Sequence, residues 1–74
     1  MIKGRHRAAN WAVEAASRLK GAQFPIGEAQ ARDRLAGLVV RGEDVLDLLD
    51  RVEFPVYTPA ALLHLISEAS ERAR

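Results

Sequence analysis

Apolar residues recur every three or four positions in four stretches of this chain, and glycine or proline divides each stretch from the next. Such spacing collects apolar side chains on one face of a helix. The first stretch predicts a helix from about Arg5 to Lys20, with Ala8, Ala12, Ala15 and Leu19 on its inner face. Gly21 supplies a stop, Lys20 complements the negative end of the dipole, and Glu14 precedes Arg18 in the favourable i,i+4 order. A second, thinner helix is predicted from Glu28 to about Leu38 on Ala31, Leu35 and Leu38, with Gly27 as its N-cap. The β-branched pair Val39-Val40 reads as an extended link. A third helix is expected from Glu43 to Glu53, with Val45, Leu48, Leu49 and Val52 as its core stripe and Leu46 beside it. The fourth begins at Thr58 as N-cap and Pro59 as first helical residue, and buries Leu62, Leu65, Ile66 and Ala69 with Leu63 at the edge.

Two nearly identical phrases punctuate this pattern. Phe24-Pro25-Ile26 leads into the second helix and Phe54-Pro55-Val56 leads towards the fourth. Proline disfavours the α conformation in the residue before it, so each phrase is an extended joint. The rings of Phe24 and Phe54 are expected to fill the ends of the core, and Tyr57 to anchor the second joint against the third helix. On that reading Phe24→Ala or Phe54→Ala would cost about 3–5 kcal/mol.

The predicted fold class is therefore all-α, a compact bundle of four short helices with extended Phe-Pro joints before helices 2 and 4. Residues 1–74 form one domain, with residues 1–6 as a basic arm. A chain of 74 residues buries only about 60% of the surface its unfolded form exposes, so its core has little to spare. There is no cysteine to add a disulfide or a thiolate metal site. No run of apolar residues reaches the length of a membrane span and no signal core follows the basic start, so the expected location is cytoplasmic.

Charge changes the picture more than composition does. Residues 1–20 carry Lys3, Arg5, Arg7, Arg18 and Lys20 against Glu14 alone, whereas residues 21–56 carry four arginines against seven carboxylates. A basic head and an acidic middle suit self-complementary association or a charged contact surface. Trp11 lies at the edge of the first helix's apolar stripe with Arg7 and Arg18 on its side. A tryptophan between arginines can serve as an interface hot spot or stack on a nucleic-acid base. It can equally cap a small core under arginine stems.

Catalysis is not expected, and neither is a cofactor, a metal or a small-molecule substrate. His6 and His64 have no histidine partner at metal-ligand spacing. The carboxylates Glu43, Asp44, Asp47, Asp50 and Glu53 occupy the solvent face of the third helix, where nothing raises a pKa for acid–base work. Ser17, Ser67 and Ser70 have no activating neighbour in sequence.

The segment Leu19-Lys20-Gly21-Ala22-Gln23-Phe24-Pro25-Ile26, followed by Val45-Leu46, Leu48-Leu49 and then Tyr57, Pro59, Ala60 and Leu62, resembles the small bacterial family called domain of unknown function 2795. The resemblance covers about residues 19–66. It departs at Gly27, where a hydroxyl cap is usual, at Ala31, where a bulky aliphatic is usual, and at Ala61, where an acidic residue is usual. It implies a small all-helical domain and no particular chemistry.

The function expected from these residues is a non-catalytic protein-interaction module, self-associating or serving another protein, with no membrane partner. The candidate partner-binding residues are Arg5, Arg7, Trp11, Arg18, Leu46 and Leu63. The alternative is a nucleic-acid-binding or transcription-associated protein that uses the basic N-terminal helix.

Overall fold

The computed structural model describes residues 10–72. Their elements run α1 (Asn10–Arg18), α2 (Glu28–Leu35), β1 (Val39–Val40), β2 (Glu43–Asp44), α3 (Val45–Leu49) and α4 (Pro59–Arg72). The structure is mostly helical, but the all-α expectation does not hold. Val39–Val40 and Glu43–Asp44 pair as a two-stranded antiparallel sheet, Val39 opposite Asp44 and Val40 opposite Glu43.

The sheet explains why the third helix starts two residues later than its charge pattern predicts. Arg41 and Gly42 both take positive φ, 50° and 85°, as a two-residue type I′ hairpin turn requires. The turn folds Glu43 and Asp44 back onto the valines. Asp44 then serves as N-cap of α3, its carboxylate accepting the Leu46 N–H at 3.0 Å. At its other end α3 stops at Leu49, four residues short of the expected Glu53. The α2 helix likewise ends at Leu35, because Ala36 is extended and Gly37 has φ +89°. Leu38 is buried as expected, but from beyond the helix end.

The two Phe-Pro joints meet. Ile26 and Val56 form an antiparallel pair in which each N–H donates to the other's carbonyl, at 2.8 and 3.1 Å. Both Phe-Pro peptide bonds are cis. Side chains alternate across such a pair, so Ile26 and Val56 point inward and are buried, while Pro25, Gly27, Pro55 and Tyr57 are exposed. Tyr57 is 68% exposed and does not anchor the joint against α3. Inward-facing Val56 turns its neighbour outward. Phe24 and Phe54 are half-buried rings packed against the core rather than its end plugs.

The core unites Ala15 and Leu19 from α1, Ala31 and Leu35 from α2, Val40 from β1, Val45, Leu48 and Leu49 from α3, and Leu62, Ile66 and Ala69 from α4, with Ile26 and Val56 at the joints. Ala31 and Ala15 are fully buried, so small side chains on α1 and α2 let these helices lie close to their neighbours. The start of α4 is as its sequence dictates: Thr58 Oγ1 accepts the Ala61 N–H at 3.0 Å and Pro59 opens the helix.

Ser70 is the one polar residue among the buried ones described, and its hydroxyl has no hydrogen-bond partner. An unpaired buried hydroxyl opposes folding. Ser70→Ala is therefore expected to leave stability unchanged or raise it by up to about 1 kcal/mol. A urea titration checks this, and a loss of stability would mean that the hydroxyl is paired.

Candidate partner-binding cleft

Trp11, Glu14 and Arg18 are spaced three and four residues apart, and so share one flank of α1. Opposite them runs the chain that leaves α2, Gly37-Leu38-Val39. Between the two lies a solvent-open cleft of about 330 Å³ lined by these six residues. Its walls are apolar at Trp11, Leu38 and Val39 and charged at Glu14 and Arg18. Trp11 is half-buried against the core, and Val39 is 58% exposed.

Arginines frame this cleft. Arg18 bonds Glu14 at 3.2 Å and donates to the Ala36 carbonyl, just past the end of α2, at 2.7 Å. Arg34 of α2 returns the contact, donating to the carbonyls of Arg18 and Lys20 at 3.3 and 2.9 Å. Each helix thus supplies a cation to the carbonyl end of the other, where the dipole favours it. Arg34→Ala is expected to lower stability by about 1–2 kcal/mol, read from the shift in a thermal unfolding curve. A change within error would show that these caps are idle.

A third arginine lies over the tryptophan. The Arg41 guanidinium stands 5.8 Å from the centre of the Trp11 ring, within cation–π range. It also donates to the Ser67 carbonyl and hydroxyl at 3.3 and 3.2 Å. The left-handed turn therefore ties α1, the hairpin and α4 together through one side chain.

Of the residues singled out from sequence, Trp11 and Arg18 meet in this cleft. Arg18 is committed to Glu14 and Ala36 rather than stacked on the indole, and the cation over the ring is Arg41. Arg5 and Arg7 lie outside the described residues, as do His6 and the basic arm. Leu46 and Leu63 lie elsewhere, half-buried and packed against the core. None of Gly37, Leu38, Val39 and Arg41 is a candidate site residue from sequence, where Leu38 reads as helix core and Val39 as part of an extended link.

The acidic residues of the third stretch have separate duties. Asp44 caps α3, and Asp50 pairs with Arg32, which also bonds Glu28 at 2.9 Å and the Leu46 carbonyl at 3.4 Å. The hydrogen bond to Asp50, and then that to Glu28, raises the Arg32 guanidinium above its ordinary pKa, so it remains a cation joining α2 to α3. Among the described residues no three His, Asp or Glu side chains converge as a metal ion would need. His64 is exposed on α4, 3.4 Å from Glu68. No described helix is long and apolar enough to cross a membrane. No family model, curated protein or solved structure matches this chain.

Proposed function

We propose that this protein is a non-catalytic interaction module that engages a protein partner at the cleft beside Trp11. The observation that carries this reading is the exposure of Val39 next to a half-buried tryptophan in an open apolar recess. Tryptophan is the side chain most enriched at binding hot spots, and a recess beside it excludes water from an inserted apolar group. The rim charges of Glu14 and Arg18 are held in place by their own pairing and would orient an incoming chain.

The test is capture from a native extract by the parent chain and by Val39→Asp. This substitution puts a carboxylate at the cleft while leaving the core untouched. A partner retained by the parent and lost by the variant, with both proteins folded by circular dichroism, supports the module reading. Equal retention places the contact elsewhere. Binding of duplex or single-stranded DNA at low salt that weakens steeply with added salt would instead favour the nucleic-acid alternative, through residues 3–20.

A further inference from the structure

We infer that the occupant of this cleft is an extended segment of a partner protein, added as a third strand along the edge of β1 that is unpaired among the described residues. This rests on the cleft being the docking surface and goes beyond it by naming the form the partner takes.

The register of the hairpin decides which backbone groups are free. Val40 faces Glu43 beside the turn, and the Val45 N–H donates to the Leu38 carbonyl at 3.0 Å. Between these, Val39 and Asp44 form the non-hydrogen-bonded pair, in which both N–H and C=O point away from the partner strand. Outside the β1–β2 pairing, too, Val39 makes no backbone hydrogen bond among the described residues. One donor and one acceptor of β1 are thus presented on the side away from β2. Leu38 and Val39 also line the cleft, so an apolar recess adjoins that strand edge. Gly37 just before them presents no Cβ, and the space where one would stand is empty to 4 Å, so a second backbone can approach there.

Size separates the candidate occupants. A stable homodimer buries about 1,200 Å² or more in total, and the six residues that line this recess expose far less surface than that. A second copy of this globular domain has too little to grip here. An extended peptide matches it: backbone bonds at Val39 supply attachment, and one side chain fills the recess between Trp11 and Leu38.

The experiment uses the full chain labelled with nitrogen-15 and two probes. One is the peptide acetyl-Thr-Val-Thr-Val-Thr-amide, and the other is the same peptide methylated at every backbone amide nitrogen from the first Thr to the last, so that neither strand edge can donate. The first should shift the amide resonances from Gly37 to Val40 and the indole resonance of Trp11. The methylated peptide should bind about tenfold more weakly or not at all, since a strand bond is lost while the side chains remain. Equal binding of both peptides, or shifts confined to residues outside the cleft, overturns strand addition. So does the absence of any shift up to the solubility limit. A molecular mass that rises with protein concentration, with Val39 protected from exchange in the larger species, overturns it by assigning the edge to a second copy. If Val39→Asp still abolishes partner capture while strand addition fails, the interaction-module reading stands without it. If that variant retains the partner, the contact lies elsewhere and the cleft falls as the docking surface, whatever the peptides do.

Discussion

Ile26→Ala is expected to lower the free energy of unfolding by about 3–4 kcal/mol. A chain of this length has on the order of 4–11 kcal/mol in all, so much of the population should be unfolded at moderate temperature. The reason is position. Ile26 has no exposed surface, and its backbone exchanges both hydrogen bonds with Val56. A cavity there loosens the backbone pair that ties the two joints together. The comparison that isolates this effect is Tyr57→Ser, on the outer face of the same pair, which should change stability by no more than about 0.5 kcal/mol. Phe24→Ala should fall between the two, at about 1–3 kcal/mol, because the ring keeps part of its surface in water. Urea titrations of the three variants should give this order. Tyr57→Ser proving as costly as Ile26→Ala would mean that the faces of the joint have been assigned the wrong way round.

Leu48→Ala is expected to cost about 3–5 kcal/mol, the largest effect of any single truncation proposed for this chain. Its helix, α3, is only five residues long. A helix so short has no stability of its own in water, so packing holds it in place. It packs against α2, α4 and β2, and Leu48 is fully buried at its inner face. Removing that side chain should release α3 and with it the lining of the sheet. Far-ultraviolet circular dichroism with thermal melting reads the result. A variant that melts within a few degrees of the parent would show that α3 is not the hub it is described as.

How far these features can be read from sequence depends on whether their cause is local. Thr58 and Pro59 set the start of α4 through a hydroxyl and a ring within one turn of chain, and the structure begins that helix there. The extended character of Val39-Val40 is likewise a property of two β-branched residues. The hairpin they belong to is not legible in the sequence because its turn is Arg41-Gly42. Only the glycine signals a type I′ turn, where Asn or Asp before it would have completed the signature. The acids after the turn suit a helical first turn equally well. By sequence alone Glu43 and Asp44 therefore read as helix, although Asp44 is its cap.

The remaining features arise from residues distant in the chain. Nothing in either Phe-Pro phrase reveals that the two would pair. Local reasoning gave the anchoring role to the larger aromatic rings, and the alternation of the paired backbone gave it to Ile26 and Val56. The same holds for the cleft. Trp11 was legible as an edge residue, but its companions are Arg41, thirty positions away, and Leu38 and Val39. Arg18 is drawn off to Ala36 by the crossing of α1 and α2.

The most direct test of the joint-to-joint pairing is amide hydrogen exchange at Ile26 and Val56. Each N–H is committed to the other residue's carbonyl. Both should therefore exchange only when the whole domain unfolds, as slowly as the core amides of α4 and far more slowly than Tyr57. Rapid exchange at Ile26 and Val56, with α4 still protected, would show that the joints do not pair and that the fold is held together in some other way.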